Sequence, residues 1–164
     1  MEIILKIYEE KYEEQILNDI KSFFRAHHME IGEAAARENL ANWTSEDHEF
    51  YVILGNDQLV GFVHLCMRGP TVCWIEDIFV EEHLRKQGIA SKAIELVEEQ
   101  LQKRNVQSIC MDVVPDNLPA LKLYHRLGYD QLSIVTVRKD RKPFKTSRTE
   151  QIGGIEFRIK QYNE

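Results

Sequence analysis

Cysteine is scarce in this sequence, and its spacing excludes two chemistries. Only three occur, Cys66, Cys73 and Cys110. No two have the Cys-x-x-Cys spacing of a zinc or dithiol redox site. All three fall in strand-like runs, which fits buried reduced thiols in a cytoplasmic protein. The six histidines are scattered. His27 and His28 are adjacent rather than a helical turn apart, and His64 lies in a strand pattern where packing is the expectation. No metal is therefore expected. Long apolar runs are missing too, since none approaches the roughly 18 residues of a membrane helix. Met1 to Lys6 has no basic region followed by a long apolar stretch, so no signal peptide is expected. Positive charge is not in excess: the formal net charge is -6. That argues against non-specific nucleic-acid binding and for tolerance of cationic partners. Two phosphate-binding fingerprints are absent, Gly-Lys-Ser/Thr and Gly-x-Gly-x-x-Gly.

What remains is an ordinary globular composition, 43% hydrophobic and 29% charged over 164 residues. That length suits one domain, residues 1–164, with a substantial core. Glu2 to Tyr8 reads as an opening strand. Tyr12 to His28 carries Ile16, Leu17, Ile20, Phe23 and Phe24 at helical spacing. Glu30 to Trp43 is a more polar helix, with Ala34, Ala35, Leu40 and Trp43 as its expected buried positions. Glu49 to Leu54 and Gln58 to Met67 are strands joined by the turn signal Gly55-Asn56-Asp57. Thr71 to Val80 is the next strand, Gly88 to Arg104 a helix and Gln107 to Val114 a strand. Strand, long helix, strand is a crossover unit, so its two strands should be parallel neighbours. Asp116 to Leu127 is a short helix with Pro119 in its first turn and Gly128 at its stop. Leu132 to Arg138 and Ile155 to Tyr162 are the last expected strands, joined by a basic stretch, Lys139 to Arg148. The sum is an α/β fold (α+β in some schemes). It has a mixed, mostly antiparallel sheet of six to seven strands, one central parallel pair and about four helices.

Ligands in such sheets favour the carboxyl ends of strands beside a crossover. Glu76 to Ala90 lies there. It reads as a strand, a short charged loop with one glycine, and the first turn of a helix. The first N–H groups of a helix lack internal partners, and the helix dipole puts partial positive charge at that end. An anion there satisfies both. Gly88 lets the backbone approach it closely, and Arg85 and Lys86 add positive charge.

A second stretch gives the pattern a family. Arg85-Lys86-Gln87-Gly88-Ile89-Ala90 resembles the acetyl-CoA signature Arg/Gln-x-x-Gly-x-Gly/Ala of the GNAT N-acetyltransferases. Asn117-x-x-Ala120-x-x-Leu123-Tyr124-x-x-x-Gly128-Tyr129 resembles the same family's Asn-x-x-Ala-x-x-Leu-Tyr-x-x-x-Gly-Phe element, with Tyr129 in place of the commoner Phe. The resemblance covers about residues 50 to 130. It implies a GNAT-like sheet whose central parallel strands splay, and acetyl-CoA as co-substrate. The N–H groups from Gln87 through Gly88 and Ile89 to Ala90 would hold its pyrophosphate, with Arg85 and Lys86 nearby. The backbone of Ile78, Phe79 and Val80 would pair with the pantetheine arm as an added strand. Asn117 would bond the cofactor near its thiol end, and Tyr124 would protonate the departing thiolate.

Acyl transfer to an amine also needs a neutral amine. Glu76 is the carboxylate favoured as base, with Asp77 and water as alternatives. In an unbroken strand Glu76 and Asp77 face opposite sides, and only one faces the cleft. The competing role for Glu76 is an ion pair that fixes the strand, and for Asn117 a helix cap. Glu30, Glu33, Glu38, Glu46, Asp47 and Glu49 crowd the second helix and the loop after it, the acceptor side in this family. A cationic amine suits that charge: a polyamine, an amino sugar, or a lysine or N-terminal amine. No cysteine lies in either motif, so direct attack in a ternary complex is expected. The alternative is a non-catalytic acyl-CoA-binding regulatory module of the same fold. No nucleic-acid or membrane partner is expected. A homodimer through the last strands or first helices is compatible with the sequence.

Overall fold

The protein is described by a computed structural model covering residues 1–161. The chain divides into two compact units, Met1–Asp112 and Val113–Glu164.

The first unit holds five strands and three helices. The strands are β1 (Ile3–Ile7), β2 (His48–Gly55), β3 (Gln58–Met67), β4 (Val72–Val80) and β5 (Ser108–Cys110). The helices are α1 (Glu13–Ala26), α2 (Glu33–Trp43) and α3 (Ile89–Lys103). The strands lie in the order β1-β2-β3-β4-β5. All neighbours are antiparallel except β4 and β5, which are parallel. The β2–β3 turn explains the hairpin. Asn56 and Asp57 both take positive φ, 50° and 64°, which gives a two-residue turn whose twist matches that of the strands.

Strand alternation then sorts the core onto two faces. Phe50, Val52, Leu54, Phe62 and Phe79 pack with Ile16, Leu17 and Ile20 of α1 and with Leu40 and Trp43 of α2. Ile53, Val60 and Val80 pack on the other side with Ile89 and Ala93 of α3. Helices therefore cover both faces of the sheet. In α2 the buried alanine is Ala36. Ala34, expected inside, is exposed.

Two features of β4 matter for the site. The register of β3 against β4 slips between His64 and Leu65, which pair with Asp77 and Ile75. Glu76 is thus the extra residue of a β-bulge, and the strand is not unbroken as the sequence pattern implies. On its other side β4 pairs with β5 only at Val72, Cys73 and Trp74. The expected strand Gln107 to Val114 is regular only over Ser108–Cys110.

The second unit holds α4 (Leu118–Arg126) and an antiparallel hairpin, β6 (Thr146–Ile152) and β7 (Ile155–Lys160). Among the described residues, the seven strands thus form a mixed five-stranded sheet and a two-stranded one. Leu132 to Arg138 is not a strand here, contrary to its apolar pattern. Leu132, Ile134 and Val137 are 81%, 74% and 68% exposed. The partner of β7 is the polar run Thr146–Ile152, which includes the end of the basic stretch Lys139 to Arg148. Local geometry decides this. Gly153 and Gly154 take φ of 59° and 79°, close a two-residue turn and set Ile152 opposite Ile155,. Tyr162, assigned to the last strand from the pattern, lies outside the described residues.

Gly61 tests the packing of β3 on β4. A Cβ there would stand 2.0 Å from the carbonyl oxygen of Phe79. The obstacle is backbone, so it cannot rotate away. Gly61→Ala should lower stability by about 1–3 kcal/mol, read as a reduced urea midpoint. An unchanged midpoint would contradict this close approach.

Candidate active site

The loop after β4 is built to leave helix donors uncovered. Lys86 and Gly88 take φ of 62° and 81°, and α3 begins at Ile89. Gly88 is the N-cap and supplies no side-chain cap bond. Beyond its own chain neighbours, no atom of the described residues lies within 4 Å of where its Cβ would stand. Ile89 and Ala93 anchor the helix in the core, so the free N–H groups sit on a fixed element. Arg85 donates from Nε to the Val80 carbonyl at 3.0 Å, and its guanidinium lies 5.7 Å from the Phe79 ring centroid. Gln87 and Lys86 are exposed beside it. Uncovered donors, a helix dipole and two cations suit a diphosphate.

The strand leading into this loop has a free edge. Among the described residues, β4 pairs with β5 no further than Trp74. Ile78, Phe79 and Val80 keep their bonds to β3 through Val63, Phe62 and Gly61. Their opposite edge can accept an extended ligand carrying amides.

The two carboxylates at the bulge have different partners. Glu76 accepts from Arg68 Nη2 at 2.7 Å, and the Arg68 guanidinium stacks 4.2 Å from the Trp74 ring centroid. Asp77 Oδ2 lies 2.8 Å from His64 Nδ1. His64 is 2% exposed, and its Nε2 lies 2.7 Å from His48 Nδ1. Trp43 stacks on His64 at 5.1 Å, which places this chain of three groups on the α1/α2 face. The strand pattern places His64 in the core, where it is found, and gives no local sign of its contact with His48. The signal was the hairpin register. Once the turn is fixed, His48 and His64 fall on one face two rows apart.

In the second unit Asn117 is the N-cap of α4, its Oδ1 accepting from the Ala120 N–H at 3.2 Å. Arg148 of β6 donates to the Pro115 carbonyl at 2.8 Å and so braces the loop before the cap. Tyr124 packs edge-on to Tyr129 at 6.4 Å. Burial raises its hydroxyl pKa above the usual value near 10, so the phenol stays protonated at neutral pH. Burial pushes the Cys73 thiol up to about 11, and Cys66, Cys73 and Cys110 are all free.

Against this geometry, residues 13–129 match the acetyltransferase (GNAT) family model. The chain belongs to the GNAT acetyltransferase family. The match crosses both compact units and includes both motifs. Solved structures agree on the fold. AAC(6')-Iy bound to the bisubstrate analogue CoA-S-monomethyl-acetylneamine superposes with a TM-score of 0.70 at 16% identity, over 87% of this chain and 100% of that one. A possible acetyltransferase from Clostridium difficile 630 gives 0.71 at 14% identity, over 86% and 99%. The aminoglycoside acetyltransferase meta-AAC0020, from an uncultured soil metagenomic sample and solved with sisomicin, gives 0.65 at 13% identity, over 85% and 97%. No curated protein matches the chain in sequence. No helix among the described residues is long and apolar enough to cross a membrane. No cluster of three His, Cys, Asp or Glu among them is arranged to hold a metal.

One more ionisable group stands out in this GNAT fold. Asp19 of α1 is 6% exposed, and its Oδ2 has no hydrogen-bond partner among the described residues. It lines a cleft of about 390 Å³ with Ser22, Phe79, Glu81 and Arg85. A polar residue three positions after Ile16, inside an apolar stripe, was the available sequence signal. Burial first and the Glu81 charge second raise its carboxyl pKa to about 7. The folded protein thus holds a proton that the unfolded chain has released between about pH 4 and 7, so stability falls as pH rises through that window. The fall should amount to roughly 2–4 kcal/mol. Asp19→Asn should flatten it in thermal melts. An unchanged slope would contradict the burial account.

Proposed function

We propose that this chain transfers the acetyl group of acetyl-CoA to a primary amine by direct attack in a ternary complex, as one GNAT domain. The observation that carries this reading is a free strand edge, 78–80, running into an uncapped helix terminus at Gly88. A strand-like arm ending in a diphosphate matches that order of features. In this reading Ile78, Phe79 and Val80 bind the pantetheine amides. Gln87, Gly88, Ile89 and Ala90 bind the pyrophosphate, with Arg85 and Lys86 beside it. Asn117, besides capping α4, bonds the cofactor near its thiol.

The chemistry sets what else is needed. An alkyl amine has a pKa of about 10.4, so neutralising it at pH 7 costs about 4–5 kcal/mol. A carboxylate at the bulge, Glu76 or Asp77, or a water held there, takes the proton. A backbone N–H at the interrupted ladder can serve the oxyanion. Tyr124, kept protonated by burial, donates to the leaving thiolate. The raised thiol pKa of Cys73 leaves it a poor nucleophile at neutral pH, which supports direct attack over an acetyl-cysteine intermediate.

The acceptor is best read as a cationic amine. The two aminoglycoside enzymes of this fold were solved with amino-sugar ligands, and the acidic side chains near α2 suit such charge. Part of that charge is already matched. Glu30 pairs with Arg25, Glu33 with Lys21, and Glu49 with Arg104. Glu38, Glu46 and Asp47 are the stronger candidates for acceptor contacts. The free cysteines suit a reducing, cytoplasmic setting,.

Calorimetric titration with acetyl-CoA tests the cofactor. Wild type should bind at micromolar concentration, and Gly88→Glu, which puts a carboxylate where the pyrophosphate sits, should lose that binding. A folded wild type that does not bind would overturn the assignment. Tyr124→Phe tests the acid. It should lower kcat by about 100-fold while acetyl-CoA affinity stays within a few-fold. Unchanged kcat would remove Tyr124 from the mechanism.

A further inference from the structure

Asp19 belongs to the buried stripe of α1, together with Ile16, Leu17 and Ile20. Its side chain is almost wholly withdrawn from water, and its Oδ2 accepts no hydrogen bond among the described residues. A carboxyl in that position costs stability that an apolar residue would not. It lines the cleft of about 390 Å³ between α1 and the loop after β4, so the unsatisfied acceptor borders open space.

The other polar walls decide the charge of a ligand there. Ser22 stands one turn on along the same face of α1, and Glu81 and Glu82 bring two carboxylates from the loop. Glu81 is fixed by Gln15 Nε2, which donates to Oε1 at 2.8 Å, and by His83 Nδ1, 3.4 Å from Oε2. Its charge reaches Asp19. Both cations at the cleft are already engaged. Arg25 donates to Glu30 at 3.1 Å, and Arg85 donates to the Val80 carbonyl with its guanidinium over the Phe79 ring. An anion would therefore meet carboxyl groups before any uncommitted cation. A metal ion is not favoured either, since no three His, Cys, Asp or Glu side chains among the described residues are arranged to hold one. An ammonium group fits. It offers three donors and no acceptor, and the cleft offers free acceptors in a negative field.

We propose that this cleft binds the primary ammonium group of a di- or polyamine, with Asp19 Oδ2 and Ser22 Oγ as its acceptors. The site lies on α1 and at the end of β4, whereas Glu38, Glu46 and Asp47 belong to α2 and the loop after it. It stands whether or not the chain is a transferase. Two molecules can present the group. One is the amine acceptor itself, through a second ammonium remote from the reacting nitrogen. Phe79 to Glu81 lie two to four residues past Asp77, about 7–13 Å along an extended chain, a span that an extended triamine covers. The other is a separate polyamine bound beside the reaction.

Calorimetric titration of the whole chain with spermidine, without acetyl-CoA, tests the site. Wild type should bind saturably, and Asp19→Asn, which removes the charge but keeps the size, should weaken binding by 10-fold or more. In carbon-13 spectra of wild type the Asp19 carboxyl resonance should move along the same binding curve, a reading that needs no variant to fold. A wild type that does not bind, an unmoved Asp19 resonance, or a folded Asp19→Asn of equal affinity would overturn the proposal. Kinetics then separate the two sources. If the acceptor's second ammonium fills the cleft, Asp19→Asn should raise the KM for spermidine by 10-fold or more and leave that for butylamine within two-fold. If a separate polyamine fills it, added spermidine should change the acetylation rate of a lysine peptide in wild type, and Asp19→Asn should lose that change. Spermidine bound through Asp19 with no turnover of any amine would sink the transferase reading and leave this site standing.

Discussion

Strand β4 carries one constraint on which the rest depends. It is bonded along its length to β3 and for only three residues to β5. A strand held that firmly on one side can leave its other edge open without losing its place. The open edge offers backbone groups to a ligand and leads directly into the Gly88 loop. The same ladder, slipped by one residue at Glu76, turns Asp77 onto the α1/α2 face. Gly61 lets the two backbones come close enough for the ladder to form.

Polar groups inside the first unit divide by whether they are satisfied. His64 has a partner at each nitrogen, and Tyr51 bonds Glu49 at 2.7 Å on the opposite face, where Arg104 completes the group. Asp19 is the exception. Its unpaired oxygen is held against a cleft at a cost in stability that grows with pH. A fold that retains such a group beside Arg85 and Phe79 keeps it against the direction that stability alone favours.

The sequence made much of this legible, for local reasons. Asn56-Asp57 dictates a tight hairpin, helical spacing marks α1 and α3, and strand, helix, strand implies the parallel pair. The Gly88 loop was readable because a helix terminus and a glycine have few conformational options. Other features depend on pairing between distant residues, which no local pattern encodes. The bulge at Glu76 is a register effect. The contact of His64 with Asp77 appears only once β3 is set against β4. Leu132 to Arg138 misled because its apolar alternation resembles a strand, while the Gly153-Gly154 turn gave β7 the polar partner Thr146–Ile152. Of the two readings of Asn117, the structure shows the helix cap, with Oδ1 accepting from the Ala120 N–H.

The central claim is that the β4 edge and the α3 terminus together bind acetyl-CoA. Amide NMR of 15N-labelled protein titrated with coenzyme A tests it most directly. The account predicts that the largest shifts fall on Ile78 to Val80 and on Gln87 to Ala90, saturating together with one dissociation constant. Saturable binding that leaves both groups of amides unmoved would contradict it.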